Sequence, residues 1–175
     1  MKQFKLIFSF LLLAIISTVA NAQEKGDIAM GGYLAIGSGY DYANGGIGAK
    51  FLYNATNGIR FAAEIDSWRK INEANTRVYN INAYAHFLGR HAKDKRTLIY
   101  PFVGISRESR KHSGFTTFTH HSTALLWGGG MDYKLTSKLT LNTELRSHQL
   151  QLHVGGPNYI YGGSLNLAVG LAYKF

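Results

Sequence analysis

The sequence lacks cysteine, and after residue 22 it also lacks any uninterrupted hydrophobic run of helical length. The absence of cysteine excludes a disulfide scaffold, a thiol nucleophile, a cysteine zinc site and an acylated lipoprotein cysteine. A membrane span by α-helix needs about 20 apolar residues, so none is expected downstream of residue 22. With 46% hydrophobic residues in a chain of 175, the sequence is also not that of a disordered protein.

The amino-terminal segment has the three parts of a secretory signal. Lys2 and Lys5 precede an uncharged, mostly apolar run over residues 6–19, and small residues at Ala20 and Ala22 close it. The run is too short for a membrane anchor, which is the alternative interpretation. We therefore expect residues 1–22 to be a signal peptide cleaved after Ala22, and residues 23–175 to form one domain.

The rest of the sequence alternates apolar and polar residues with a period of two, which is the period of a β-strand. The final run shows this best, because every second residue from Leu165 to Phe175 is apolar. In the run around Tyr100 both faces are apolar, so its orientation stays open. The pattern predicts eight strands, at residues 27–38, 46–54, 59–69, 77–88, 97–108, 123–135, 139–146 and 165–175.

The connections between these strands alternate in length. Residues 55–58 and 136–138 form compact turns, the first with a strong Asn-Gly hairpin signal, whereas residues 109–122 form a long polar connection. Residues 89–96 are an exception, a longer basic turn on the otherwise tight side. Strands of this length match the tilted strands of a membrane-spanning barrel, which need about 9–11 residues.

Two kinds of eight-stranded barrel fit this alternation. A soluble barrel of lipocalin type keeps its apolar face inside, whereas an outer-membrane barrel turns that face to lipid. The asymmetry of the connections, the aromatic residues near strand ends and the terminal Phe175 favour the second. The predicted fold is therefore an all-β, eight-stranded, antiparallel up-and-down transmembrane barrel.

Three segments resemble the small OmpA/OmpX-like outer-membrane barrels: LAVGLAYKF at 167–175, GGGMDYKL at 128–135 and YPFVG at 100–104. The resemblance extends over residues 27–175. It implies a location in the outer membrane and a barrel architecture, but no particular activity. In that family an alternating last strand with a terminal phenylalanine is recognised by the barrel-assembly machinery, so the resemblance assigns this role to Tyr173 and Phe175.

Charged residues in the polar phase of the strands are expected inside the barrel. An eight-stranded barrel is filled by side chains, and unpaired charges there are costly. Folding the hairpin at residues 55–58 places Lys50 opposite Glu64 and Asn54 opposite Arg60. Glu144 and Arg146 would lie opposite Gly130 and Gly128, whose missing side chains leave room for them. We interpret Lys50, Arg60, Glu64, Glu144 and Arg146 as a structural lumen network; carboxylate catalysis or an ion path is the alternative.

Histidines are the residues most suited to metal chemistry. Five of the seven fall on one side of the predicted barrel, namely His112, His120, His121, His148 and His153. Three or four converging ligands are needed for zinc, and adjacent His120 and His121 point apart in an extended chain. We predict polar connections rather than a metal site there, and no cofactor elsewhere.

A lipid A deacylase is a further alternative, since some barrels of this length resemble such enzymes. Their serine nucleophile follows a histidine by two positions, but the corresponding frame here reads His148-Gln149-Leu150. Ser147 would point away from His148, so no local Ser-His pair forms. We therefore predict that the protein is not an enzyme.

The excess of 19 Lys and Arg over 10 Asp and Glu is scattered rather than arranged as a stripe for nucleic acid. One cationic group lies in the basic turn at residues 89–96 and another, Arg107, Arg110 and Lys111, lies in or beside the long connection. Outer-membrane lipid and lipopolysaccharide are the partners expected for the second group. The sequence thus predicts a monomeric outer-membrane barrel with a structural, adhesive or surface-interaction role; a narrow pore or small-solute binding barrel is the alternative.

Overall fold

The computed structural model of the protein describes residues 25–39, 42–70, 76–89, 96–112, 118–153 and 164–175. Within these residues the chain forms eight strands and no helix long and apolar enough to cross a membrane. The strands are β1 (Ile28–Gly39), β2 (Tyr42–Asn54), β3 (Ile59–Lys70), β4 (Thr76–Phe87), β5 (Thr97–His112), β6 (Phe118–Lys134), β7 (Leu139–His153) and β8 (Ser164–Lys174).

Each strand pairs antiparallel with its neighbours in sequence, and β8 returns to pair with β1. The closing register runs from Ala29 opposite Lys174 to Ser38 opposite Leu165. Because the sheet closes on itself, it presents no free strand edge, which is the condition for crossing lipid with β-structure. The predicted up-and-down, eight-stranded antiparallel barrel is confirmed.

Alternate residues of every strand face opposite sides of the barrel wall. The outer side is apolar: Leu34, Ile65 and Ile81 are 67%, 63% and 64% exposed. The orientation of β5, which the sequence leaves open, is settled by its neighbours. Tyr100 points inside and its ring stacks on that of His86 with centroids 4.4 Å apart, so the isoleucines of β5 face outward.

The start of β1, the end of β8 and the turns that join β2 to β3 and β6 to β7 lie at one end of the barrel, which we call the terminal end. These two turns are held by the same kind of hydrogen bond. The Oγ1 atom of Thr56 accepts hydrogen bonds from the amides of Gly58 and Ile59 at 3.1 and 2.9 Å, and Thr136 does the same for Lys138 and Leu139 at 3.2 and 3.0 Å. The opposite end, where β5 meets β6, is called the hairpin end.

The prediction of a long polar connection at residues 109–122 is wrong. β5 continues to His112 and β6 begins at Phe118, so only residues 113–117 lie between the two strands. Similarly, β7 extends to His153, so His148 and His153 lie in a strand rather than in a connection. In β5 and β6 the cause is that the strand ends carry mostly polar residues on both faces, so the apolar alternation that marks a strand in the sequence disappears although hydrogen-bonded pairing continues. In β7 the alternation continues through Gln149, Leu150, Gln151 and Leu152, but the pairing with β6 shifts register between Thr123 and Leu125.

The glycines of β6 give a test of how tightly the interior is filled. A Cβ atom on Gly130 would lie 2.6 Å from the ring of Tyr100, whereas one on Gly129, which faces outward, would lie 3.6 Å from the Tyr100 carbonyl oxygen. We expect Gly130→Ala to destabilise the barrel by about 1–3 kcal/mol through overpacking. Gly129→Ala is the matched control and should leave stability near that of the wild type.

The measurement is the temperature at which the refolded protein in detergent loses its compact gel migration. Equal transition temperatures for the two variants would contradict a filled interior at this level.

Candidate functional site

Four charged side chains meet in the middle of the barrel. Lys50 Nζ lies 3.3 Å from Glu64 Oε1 and 2.9 Å from Glu144 Oε1. Arg146 binds Glu64 through two bonds of 2.8 Å each and also contacts Glu144. All four side chains are almost completely buried. Because β3 and β7 stand on opposite sides of the barrel, the Arg146–Glu64 pair crosses the interior.

A second ion pair lies nearer the terminal end. Arg60 Nη1 is 2.6 Å from Asp132 Oδ2 on β6, and its Nε donates to His86 Nδ1 at 2.7 Å. The register does place Arg60 opposite Asn54, as the sequence indicates. The guanidinium nevertheless turns toward Asp132, because a carboxylate compensates its charge and an amide does not.

Asn142 and Tyr100 join the two ion clusters. Asn142 Nδ2 lies 2.5 Å from Asp132 Oδ1, while its Oδ1 accepts from Lys50 Nζ at 2.5 Å. The Tyr100 hydroxyl lies 3.1 Å from both Asp132 Oδ1 and Glu144 Oε1. The buried polar groups therefore form one connected network rather than separate pairs.

The network holds more carboxylates than cations among the described residues. Asp66 is the carboxylate without a cation: it accepts from the Tyr33 hydroxyl at 2.9 Å, Trp68 Nε1 at 2.6 Å and Asn82 Nδ2 at 2.9 Å. Tyr33 also reaches Glu64 at 3.1 Å. Neutral donors thus satisfy a charge that no lysine or arginine in the described interior balances, which is the ordinary requirement for a buried carboxylate.

The structure brings together all five charged residues of the predicted lumen network and adds others that the sequence interpretation did not single out. The added members are Tyr33, Asp66, Tyr84, His86, Tyr100, Asp132 and Asn142. Each of these residues occupies a position whose side chain points inward, so the alternation along its strand could have identified it. The alternation does not indicate which of these side chains contact each other across the interior.

The room opposite Glu144 and Arg146 is used differently from the expectation. The sequence suggests that Gly130 and Gly128 make space for these charged side chains. Instead the rings of Tyr100 and Phe102 occupy it, since an added Cβ atom would meet each ring at 2.6 Å. The charged side chains reach across the barrel because their carboxylate and ammonium partners lie there.

The histidines are dispersed. His121 Nδ1 lies 3.0 Å from Ser109 Oγ on the outer wall, and His148 Nδ1 lies 3.2 Å from Ser164 Oγ in the interior. The side chains of His112, His120 and His153 lie outside the described residues, as do the predicted cleavage-site residues Ala20 and Ala22. Among the described residues, no three His, Asp or Glu side chains are grouped to hold a metal ion.

The His148–Ser164 contact is one that the local spacing in the sequence does not reveal. Local spacing offers His148 no serine, but Ser164 on β8 pairs directly opposite it. Both side chains face inward, however, and His148 Nδ1 also lies 3.2 Å from Asn166 Nδ2. An acyl ester of a membrane lipid lies outside the barrel wall, so this pair is not placed for lipid hydrolysis.

The carboxyl terminus is fixed to the first strand. The Phe175 amide donates to the Ile28 carbonyl at 3.0 Å, and Lys174 Nζ lies 2.6 Å from Asp27. Tyr173 and Phe175 face outward with ring centroids 5.5 Å apart. Both rings are therefore accessible on the outer wall at the terminal end.

Removing the cation of the central cluster tests its energetic role. Lys50→Met leaves Glu64 and Glu144 with one shared arginine, and breaking a buried ion pair from one side costs about 3–5 kcal/mol. We expect a clearly lower melting temperature in detergent. The double variant Lys50→Met with Glu144→Gln removes the uncompensated charge and should recover part of the loss, and unchanged melting of the single variant would contradict the pairing.

Comparison with known proteins identifies the architecture. A family model described as outer membrane protein beta-barrel domain matches residues 8–175, while no curated protein matches the chain. Several solved structures share the fold. Neisserial surface protein A is 18% identical, over 85% of this chain and 96% of that one, with a TM-score of 0.67.

The N-terminal barrel domain of Pseudomonas aeruginosa OprF is 13% identical, over 87% of this chain and all of that one, with a TM-score of 0.61. Ail, the attachment invasion locus protein of Yersinia pestis, is 15% identical, over 86% and 99%, with a TM-score of 0.58. Identities this low show the fold alone, whereas the family match covers nearly the whole chain. The chain therefore belongs to the outer membrane protein β-barrel family, whose members lie in the Gram-negative outer membrane.

Proposed function

We propose that the protein is a structural and adhesive barrel that presents the β5–β6 hairpin outside the cell and does not conduct solutes. One observation carries this proposal: the centre of the interior is closed by buried ion pairs, while the wall extends on one side. β5 and β6 have 16 and 17 residues, against 12 in β1 and 11 in β8. The parts of β5 and β6 that extend beyond the exposed apolar residues of the outer wall have no role in spanning lipid and are free to contact a ligand.

The orientation rests on the compact turns at residues 55–58 and 136–138, which lie at the terminal end, because outer-membrane barrels have short turns on the periplasmic side. The terminal end is then periplasmic and the hairpin end is outside. Residues 1–22 act as the cleaved export signal, and residues 23–175 form the barrel. The exposed rings of Tyr173 and Phe175 at the end of β8 are the groups that the barrel-assembly machinery would contact. Since the closed sheet leaves no free strand edge, one copy suffices and we propose a monomer.

The ligand of the hairpin is proposed to be anionic. Arg107 and Lys111 are exposed on the outer face of β5, and Arg110 lies next to them in the sequence. Ail has also been solved in complex with the heparin analogue sucrose octasulfate, a polyanion. That complex belongs to a protein that shares only the fold, so the cations of this chain are the stronger support.

Some observations favour the alternative of a narrow passage. Asn80 Oδ1, Asn82 Oδ1 and His148 Nε2 are buried and lack hydrogen-bond partners in the described part of the chain, so water is expected beside them. These atoms belong to strands on both sides of the interior, so hydration is not confined to one wall. Asn54 Oδ1, Arg60 Nη2 and His86 Nε2, on the terminal side of the central ion pairs, also lack partners in the described part of the chain, so water is expected on that side too, and the ion pairs lie between the two groups.

No reaction is proposed for the interior. Two contacts pair a serine with a histidine, Ser164–His148 at 3.2 Å in the interior and Ser109–His121 at 3.0 Å on the outer wall, and no described carboxylate contacts either histidine to orient it. The composition of lipid A from cells that produce the protein checks this directly. Loss of an acyl chain that depends on Ser164 or Ser109 would overturn the proposal.

Shortening the hairpin tests the adhesive role. Ser109 and His121 are direct register partners, so replacing residues 110–120 by Asn-Gly closes the hairpin with a two-residue turn. We expect this variant to keep compact gel migration but to lose binding of cells to anionic polysaccharide surfaces. Wild-type binding by a correctly folded short-hairpin variant would contradict the proposal.

Conductance tests whether the interior is closed. In a planar bilayer we expect the wild type to give little or no steady ion current, because the Arg146–Glu64 pair bridges the interior. A steady conductance that admits small solutes would instead support the passage.

A further inference from the structure

The interior of the barrel is closed at the terminal end and opens toward the hairpin end. At the terminal end, Leu88 and Leu98 are 0% and 1% exposed and pack with Leu52 in one apolar cluster. Toward the hairpin end, the inward side chains of Glu108 and Arg110 on β5 are 19% and 31% exposed. The part of the interior between these two residues and the central ion pairs is therefore reached from the hairpin end. We call it the cup, and its lining includes Asp66, Trp68, Asn80, Asn82, His148 and Ser164.

Small side chains leave room in the cup. Four strands place alanine or serine at its inward positions, namely Ala35 on β1, Ser106 on β5, Ala124 on β6 and Ser164 on β8. The interior of an eight-stranded barrel is wide enough to hold one small ligand where side chains do not fill it. The cup is therefore suited to one small ligand.

Trp68 forms a flat aromatic surface on the wall of the cup. A Cβ atom on Gly46, the register partner of Trp68 on β2, would lie 2.6, 2.8 and 2.9 Å from three atoms of the indole ring. Such similar distances show that one ring face lies flat against the glycine, so the opposite face is turned to the interior. Trp68 Nε1 donates to Asp66 Oδ1 at 2.6 Å, which fixes the ring in this position. An indole face held in this way can pack against the C–H groups of a ligand ring.

Three buried polar atoms of the cup have no hydrogen-bond partner in the described part of the chain. Asn80 Oδ1 and Asn82 Oδ1 on β4 are acceptors, and His148 Nε2 lies on β7. His148 Nδ1 lies 3.2 Å from Asn166 Nδ2, and an amide nitrogen only donates, so Nδ1 accepts and the ring proton is on Nε2. The cup therefore offers two unpaired acceptors and one unpaired donor, and each costs free energy when it is left unsatisfied.

The carboxylates of the cup are already engaged. Asp66 accepts from the Tyr33 hydroxyl and from Trp68 Nε1 at 2.9 and 2.6 Å, and Glu108 accepts from Arg110 Nε at 3.1 Å. The three unpaired atoms, rather than the charges, therefore determine which ligand fits.

The mixture of unpaired donors and acceptors indicates the chemical class of that ligand. A cation would satisfy Asn80 and Asn82 but not the N–H group of His148, and an anion would do the reverse. A hydroxyl group both donates and accepts, so several hydroxyl groups on one ring can serve all three atoms.

We infer that the cup binds one neutral sugar unit, either as a free monosaccharide or as the end of a glycan chain. The sugar ring packs on the face of Trp68, and its hydroxyl groups bind Asn80, Asn82 and His148 in place of the water expected there. This binding site goes beyond the proposed adhesive role of the hairpin. It relies on that proposal only for the orientation, which turns the opening of the cup to the outside of the cell.

The two tryptophans of the chain allow binding in the cup to be measured directly. Trp127 is exposed on the outer wall, so the variant Trp127→Phe leaves Trp68 as the single tryptophan. The refolded variant in detergent is titrated with glucose, galactose, N-acetylglucosamine, maltotriose and chitotriose, and with tetramethylammonium chloride and sodium sulfate as a cation and an anion. We expect at least one sugar to change the Trp68 fluorescence saturably, with a Kd on the order of 1 mM for a ligand of about 12 non-hydrogen atoms. The reciprocal variant Trp68→Phe, whose tryptophan faces outward, should show no change.

Two asparagine variants, each made together with Trp127→Phe, give a matched comparison. Asn80 Oδ1 and Asn54 Oδ1 are both buried and unpaired in the described part of the chain, but Asn54 lies on the terminal side of the central ion pairs. Replacement by alanine removes an unpaired atom in each case, so both variants should keep compact gel migration. We expect Asn80→Ala to weaken sugar binding about tenfold, which corresponds to about 1.4 kcal/mol and to the loss of one hydrogen bond, and Asn54→Ala to leave it unchanged.

The outcomes separate the sources of the sugar and the alternatives to it. A trisaccharide that binds as tightly as its monosaccharide supports the end of a glycan as the ligand, and binding of the monosaccharide alone supports a free sugar. No response to any sugar in the folded protein, or equal binding by Asn80→Ala, would overturn the inference and leave the cup to water. A response to tetramethylammonium or sulfate in place of the sugars would also overturn it, because the ligand would then be an ion. The titration does not involve cell binding, so its failure leaves the adhesive role of the hairpin intact, and a failure of the short-hairpin assay leaves the cup intact.

Discussion

The rest of the structure depends on the pairing of β8 with β1. In lipid, an unpaired backbone amide or carbonyl costs several kcal/mol, so a sheet can cross the membrane only when it has no edge. Once the sheet closes, one face of every strand contacts lipid and the other face lines the interior of the barrel. Leu34 and Ile81 face lipid, while Glu64 and Arg146 face an interior that must satisfy them without bulk water. The alternation in the sequence and the ion network in the interior are two consequences of that one closure.

Charged side chains are paired in the interior of the barrel but not on its outer wall near the hairpin end. Inside, Glu64 meets both Lys50 and Arg146, and Asp132 meets Arg60, because an uncompensated charge in a closed, side-chain-filled barrel is destabilising. On the outer wall near the hairpin end, Arg77 stands between Arg69 and Lys111 with no described carboxylate beside it. Such an arrangement is tolerated where anionic head groups and water surround the side chains. The balanced charges hold the barrel together, and the unbalanced ones are available to a partner.

The fold was largely predictable from the sequence, whereas the site was predictable only in part. The period-two pattern and the short turns identify the eight strands and the pairing of Lys50 with Glu64, since these neighbours are joined by one four-residue turn. The same pattern missed the outer parts of β5 and β6, because a strand with two polar faces does not alternate, and the outer part of β7, where Leu150 and Leu152 do alternate with glutamines but the pairing with β6 shifts register. Asp132 as the partner of Arg60, and Ser164 as the neighbour of His148, were also missed. Each of these contacts joins strands that local spacing does not relate.

By itself, the sequence determined the direction in which each alternating side chain points, because that direction follows from the geometry of a single strand. It therefore determined the lipid-facing belt and the set of residues available inside. Only the tertiary structure decided which of those residues meet across the interior and which cations line up on the wall. Those contacts depend on strand number and register around the closed sheet, and Arg146 reaches Glu64 only because β7 and β3 stand opposite each other in a barrel of eight.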